Sequence, residues 1–149
     1  MKKSIVRPLC AVLMLLASHS FAEDIYTDFF SDNALSGYDA VAYFTEGKPV
    51  KGKKEYKTEY LGADWFFSSE KNKKMFEESP DTYRPQYGGH CAWAVGANNA
   101  KAKGDPKYWK IVNEKLYLNY NQDVQNKWLN DVPGFIEKAN ANWPRLSED

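Results

Sequence analysis

Two stretches of the chain alternate apolar and polar positions with a period of two. In the first, Tyr56, Thr58 and Tyr60 alternate with Lys57 and Glu59, Gly62 offers a turn, and Trp65-Phe66-Phe67 returns. That pattern predicts a β-hairpin. The second, KIVNEKLYLNY, predicts two further strands around a turn at Asn113-Glu114. Other stretches follow a helical period. SSEKNKKMFEESP predicts a short helix capped by Ser69, with Glu70 and Lys74 as an i,i+4 pair and Pro80 after its end. NQDVQNKWLN places Val124 and Trp128 on one helical face. DVPGFIEKANANW, capped by Asp131, places Phe135, Ile136, Ala139 and Trp143 together. GDPKYW predicts a helix start, with Asp105 as cap and Pro106 at the first helical position. AVAYFTEGKPVKG reads as a short strand and a turn broken by Gly47 and Pro49. Residues 23–36 show no period and are expected to be irregular and less firmly held.

No close internal repeat, low-complexity segment or long linker stands out. Strands and helices mix without a βαβ rhythm, which predicts an α+β fold. The expected architecture is a single small domain over residues 37–146, with antiparallel hairpins packed against short helices.

The N-terminus has a different character. Lys2, Lys3 and Arg7 precede an apolar run from Leu9 to Ala17, and Ser20 and Ala22 are small residues suited to the −3 and −1 positions of a cleavage site. This is the pattern of a secretory signal peptide over residues 1–22. The run is shorter than the ~20 residues a spanning helix needs, so no stable membrane insertion is expected after cleavage. The protein is expected to be exported, to the periplasm if the source is Gram-negative and otherwise secreted. Cleavage would remove Lys2, Lys3 and Arg7 from 20 basic residues and leave all 20 acidic ones, a net charge of −3. That balance argues against a nucleic-acid partner, which favours a basic face. All 5 Trp and 10 Tyr lie after residue 22, enough aromatic area to dominate a core.

Loss of residues 1–22 also changes the meaning of one short motif. QYGGHCAWAV holds His90 and Cys91, and the other histidine and cysteine are His19 and Cys10. Beyond residue 22, His90 and Cys91 are therefore alone of their kinds. An unpaired cysteine in an exported protein is buried and inert, metal-bound, reactive, or linked to another molecule. HCAWAVGA is too short for its period to decide between helix and strand. In either state, adjacent side chains diverge, by ~100° on a helix or to opposite faces on a strand. The two preceding glycines permit a sharper backbone path.

The residues Gly37-Tyr38-Asp39-Ala40-Val41-Ala42-Tyr43-Phe44, then YLGADWFFSSEKNKKMFEESPDTYRPQYGGHCAWAV, GDPKYWKIVNEKLYLNYNQDVQNKWLND and ANWPRL, resemble the larger, secreted branch of the YHS-domain proteins. The resemblance implies a small α+β domain and an association with heavy metals, copper above all. The compact YHS domain typically carries a cysteine shortly after an Asp-Pro-Val and another in a Phe-Cys-Ser. Here those regions read Asp39-Ala40-Val41-Ala42-Tyr43 and Phe67-Ser68-Ser69, without thiols. A metal role would therefore run through His90 and Cys91, with Met75 as a third soft candidate for Cu(I). The partner would be a metal ion or a small ligand.

Two other classes compete. One is a ligand- or partner-binding module using exposed aromatics, with Trp65, Trp93, Trp109 and Tyr108 as candidates. The other is a thiol-redox protein acting through Cys91. No CxxC, serine-nucleophile motif, phosphate loop or HExxH is present, so no reaction is named and no catalytic residue is assigned. A pocket holding both His90 and Cys91 would favour metal. Aromatics lining a groove, with Cys91 buried and isolated, would favour the binding module.

Overall fold

The structure, a computed structural model, describes residues 23–149. The signal-peptide pattern of residues 1–22 lies outside the described residues. The fold is α+β, with two antiparallel two-stranded sheets and six helices among the described residues. None of these helices is long and apolar enough to cross a membrane.

The first hairpin joins β1 (Lys53–Tyr60) to β2 (Ala63–Phe67). Its turn places Leu61 and Gly62 at positive φ (51° and 75°), the conformation that matches the twist of a two-residue hairpin. β1 is rich in lysine and largely exposed, a charged edge that resists pairing with other chains. The chain then enters α2 (Glu70–Glu78), whose first turn is capped by the Ser69 hydroxyl accepting from Asn72 N at 3.1 Å. The ion pair on this helix is Lys73–Glu77, at 4.0 Å, rather than the expected Glu70–Lys74.

The second hairpin, β3 (Asp105–Val112) and β4 (Lys115–Asn119), leads to α5 (Gln122–Leu129), capped by Asn121 accepting from Val124 N at 2.9 Å. Asp105-Pro106 thus opens a strand, not a helix. Pro106 lies in the irregular stretch between the Asp105 and Trp109 pairings, where its missing N–H costs no ladder bond. Its carbonyl accepts from the Tyr43 hydroxyl at 2.7 Å. The expected strand at AVAYF is also replaced, by the short helix α1 (Ala42–Thr45). The cause is Asp39, whose Oδ1 accepts from Val41 N and Ala42 N at 2.9 and 3.1 Å and so starts a helical turn.

The two hairpin-helix units follow the same path. Lys53↔Phe67 and Asp105↔Asn119 are register partners offset by 52 residues (105 − 53 and 119 − 67), and both ladders slip at the same place, before Lys57 and Trp109. The offset extends upstream. Leu35, Ser36 and Gly37 have φ of 51°, 48° and 80°, and Tyr87, Gly88 and Gly89 have 57°, 60° and 85°. Isolated bridges join Tyr38 to Lys51 and His90 to Lys103. Asp39 N donates to Val50 O and Cys91 N to Ala102 O, each at 2.8 Å. The chain therefore contains an internal structural repeat, too diverged in its letters to be the close repeat the sequence lacks. Few letters survive in it, mainly Gly37/Gly89, Ala40/Ala92, Ala42/Ala94, Lys51/Lys103, Gly52/Gly104 and Tyr56/Tyr108. The core keeps its volume with other residues, Trp65 against Tyr117 and Phe76 against Trp128, all buried.

β4 is the shared wall between the units. Its pleat sends Leu116 and Leu118 into a first core with Val41, Tyr43, Trp65, Phe67 and Phe76. Tyr117 faces a second core with Tyr87, Val95, Trp128 and Ala139. That second core is closed by α4 (Ala92–Asn98) and the long α6 (Val132–Leu146). Gly96 lets the two helices approach, since a Cβ there would overlap the Phe135 carbonyl. As the helical period predicts, Phe135, Ile136, Ala139 and Trp143 face this core, and Asp131 caps α6 through Gly134 N at 3.1 Å.

Residues 23–34 lack regular structure but are stitched to the rest. Tyr26 N donates to Gly88 O at 2.9 Å, Ala34 N to Asp64 O at 2.9 Å, and Ala34 and Leu35 are buried in the first core. A further short helix, α3 (Pro80–Tyr83), follows α2.

Candidate functional site

Cys91 ends the path that begins at the two positive-φ glycines, and it serves as the N-terminal flank of α4. Its side chain is buried, at 1% exposure. The sulfur contacts Asn119 Oδ1 at 3.6 Å, which also accepts from Trp93 N at 3.1 Å. Burial pushes the thiol above its ordinary pKa, and the backbone amides of Ala94, Tyr120 and Trp93 oppose it less strongly. At neutral pH Cys91 is therefore a protonated thiol shielded from oxidants and from other thiols.

His90 points elsewhere. Its Nε2 meets Asp24 Oδ2 at 2.9 Å, and Lys101 Nζ reaches the same oxygen at 3.3 Å. The ring lies between Tyr26 and Trp143, with centroids 5.5 and 5.6 Å away. Burial depresses the imidazole pKa. Asp24 and the Ala102 backbone oppose that shift, and Lys101 adds to it. Nδ1 is buried without a hydrogen-bond partner of good geometry. The N-terminal strap covers this ring. Glu23 pairs with Arg84, Asp24 with His90, and a Cβ on Gly88 would overlap the Asp24 carbonyl.

Met75 lies in the other unit. It packs against the first core and lines a groove of about 320 Å³ with Thr45, Glu46, Ser68, Ser69, Lys71 and Asn72. Among the described residues, no three His, Cys, Asp or Glu side chains converge as a metal-binding group. The aromatic candidates also disperse. Trp65 is buried and donates to Tyr60 O at 2.9 Å, Trp109 packs on Tyr43 at 5.1 Å, and Trp93 lies 5.3 Å under Lys127. Tyr108 is half-buried on β3.

Sequence reasoning did not single out Asp39. The carboxylate is fully buried without a cation and instead gathers amides and a hydroxyl. Oδ1 takes Val41 N and Ala42 N, while Oδ2 takes Ser68 N, Ser68 Oγ and Asn72 Nδ2 at 2.7–2.8 Å. Asp39 thereby ties α1 to the end of β2 and to α2. It opens the first of the two regions set against the compact YHS pattern, Asp39–Tyr43, and reaches the second, Phe67–Ser69, through Ser68. The signal was available: an Asp followed by four residues able to start a helix is a capping pattern.

Residues 41–87 match the family profile of the YHS domain. The chain carries a YHS domain. The match covers most of the first unit and ends at Tyr87, where the second unit begins on the 52-residue offset from Leu35. No curated protein and no solved structure matches the chain.

The YHS unit contributes one wall of the largest of four described grooves, about 550 Å³. Phe44 and Tyr83 meet edge to face at 5.4 Å, joined by Thr45 and Thr82 from α1 and α3. Ile111 and Glu114 come from the β3-β4 hairpin. Neither His90 nor Cys91 lines any of the four. Sequence reasoning missed this groove because its residues are scattered over three elements of both units.

Proposed function

We propose that this YHS-domain protein is a small-ligand binding module whose site is the groove of Phe44, Tyr83, Ile111 and Glu114. The observation that carries this is the backbone of Glu114. It has φ 62°, a conformation costing a non-glycine residue about 1–2 kcal/mol, and the first unit has Gly62 at the equivalent turn position. A strained Glu where Gly fits without cost is explained if its carboxylate is used. The groove supplies that use: an aromatic pair and an aliphatic wall for an apolar body, with a carboxylate and two threonine hydroxyls for a polar head. Its volume suits a small molecule. The ligand chemistry that fits is an aromatic body with a cationic or hydrogen-bond-donating group.

Ligand-observed NMR with phenethylamine and phenylacetate as probes tests the reading. The amine is expected to bind, the acid to bind at least ~10-fold more weakly, and Tyr83→Ala to abolish both signals. Glu114→Gly should raise stability by about 1 kcal/mol while losing the amine. Equal binding of both probes by wild type and Glu114→Gly would remove the carboxylate's role.

The resemblance to YHS-domain proteins also suggests copper handling, which in this chain would run through Cys91 and His90, outside the matched residues, with Met75 as a more distant soft ligand. Three amides facing the sulfur oppose, but do not overcome, the burial that keeps the thiol protonated. That role requires the thiol to leave Asn119 and the imidazole to leave Asp24. Equal Cu(I) uptake by wild type, His90→Ala and Cys91→Ser in competition with a chelator would dismiss it. Export is proposed from the N-terminal pattern; mass spectrometry of the mature chain should then find Glu23 first.

A further inference from the structure

The two most exposed of the large hydrophobic side chains among the described residues are adjacent. Phe29 is 90% exposed and Phe30 95%, and their rings meet edge to face at 4.7 Å. Single exposed hydrophobic residues are ordinary on any surface. A contacting pair at a loop tip, held in place on both sides, is not.

The loop is closed at its base by the bridge Thr27↔Ala34. Ser31 N donates to Asp28 O at 3.0 Å, and the Ser36 hydroxyl to Asp28 Oδ1 at 2.9 Å. Asp64 N donates to Asp32 O at 2.7 Å, anchoring the loop to β2. The phenylalanines are therefore presented by a fixed turn, which lowers the ordering cost of binding.

We propose that Phe29 and Phe30 form a docking finger for a partner protein with an apolar pocket rimmed by Lys or Arg. The rim follows from charge. Asp28 and Asp32 flank the finger, and neither forms an ion pair among the described residues. Asp64, beside the base, pairs with Lys57 at 3.2 Å. An anionic lipid surface would be repelled by these carboxylates, whereas a basic rim would be attracted. Two buried Phe rings supply roughly 300–500 Å² of contact, less than a standard interface, so the finger is the anchor of a transient complex.

The test places p-benzoylphenylalanine at position 30 and irradiates cells that make the full chain. One discrete protein adduct is expected, identified by mass spectrometry, with the attachment site beside apolar and Lys/Arg residues. With that partner purified, Phe29→Ser and Asp32→Lys should each weaken binding at least ~10-fold, and added salt should weaken wild type more than Asp32→Lys. Both substitutions are at the surface and should leave the melting temperature unchanged. No discrete adduct, an adduct with a second copy of this chain, or a partner whose affinity ignores Asp32→Lys would each overturn the proposal. So would flotation of wild type, but not Phe29→Ser, with phosphatidylcholine vesicles. None of these outcomes depends on the groove at Glu114.

Discussion

Asp39 and Cys91 hold the same place in two units of the same shape, 52 residues apart (91 − 39), yet they carry opposite chemistry. Asp39 receives the amides of Val41, Ala42 and Ser68. Cys91 faces the amides of Trp93, Ala94 and Tyr120, the residues at the same offsets. One unit fills this nest of donors with a full negative charge and adds Asn72 from α2. The other fills it with a neutral thiol and leaves Asn119 Nδ2 buried without a partner. The backbone path, not the side chain, is what the two units share. A backbone that gathers amides will hold either a charged or a neutral acceptor, and the choice decides how strongly three elements are tied together.

The largest test removes each side chain. Asp39→Ala should cost about 4 kcal/mol or more in urea unfolding, because it strands several buried donors at once. Cys91→Ala should cost about 1–2 kcal/mol, the loss of a small apolar group. Equal costs would mean that the buried carboxylate ties its unit together no more strongly than the thiol ties the other.

A sharper test exchanges the chemistry. A carboxylate forced into a buried neutral site ordinarily costs several kcal/mol. Cys91→Asp should cost less than about 2 kcal/mol at pH 7, since three amides already face the position and the Asn119 amide can rotate to donate. A chain that fails to fold would show that the second nest has lost its capacity for charge.

The smallest effect concerns the neighbours, Tyr38 in the first unit and His90 in the second. His90 has a folded pKa below its unfolded value of about 6.5, so the unfolded chain binds the extra proton. Its contribution is intact above that unfolded pKa and declines as pH falls toward the lower folded one, by no more than about 1.4 kcal/mol per pH unit. His90→Gln should flatten the stability profile between pH 7 and 5. An unchanged slope would assign that slope to other groups.

Both hairpins were legible from period-two alternation and from their turns, as were the caps at Ser69 and Asp131. These signals are local, set within a few residues. The errors arose where a distant or lateral contact decided the outcome. Ala42-Tyr43-Phe44 has the composition of a strand, but Asp39 starts a helix there. Asp105-Pro106 has the letters of a helix start, but pairing with Asn119 draws it into a sheet. The repeat stayed hidden because backbone conformation is retained at Leu35/Tyr87 and Leu61/Asn113, where the residues differ in size and chemistry. His90 and Cys91 were legible as a rare pair, but not their divergence onto Asp24 and Asn119. Those partners lie 66 and 28 positions away.

The strap formed by Glu23, Asp24 and Tyr26 bears on the order of events as the chain is made. These residues leave the ribosome early, but their partners Arg84, Gly88 and His90 are synthesised some sixty residues later. Closing so long a loop is slow compared with forming a hairpin. The opening segment must therefore wait while both of the β1-β2 strands and α2 emerge. The Thr27–Ala34 loop can be fixed earlier, against Asp64, so the phenylalanine pair is presented before the strap beside it is sealed.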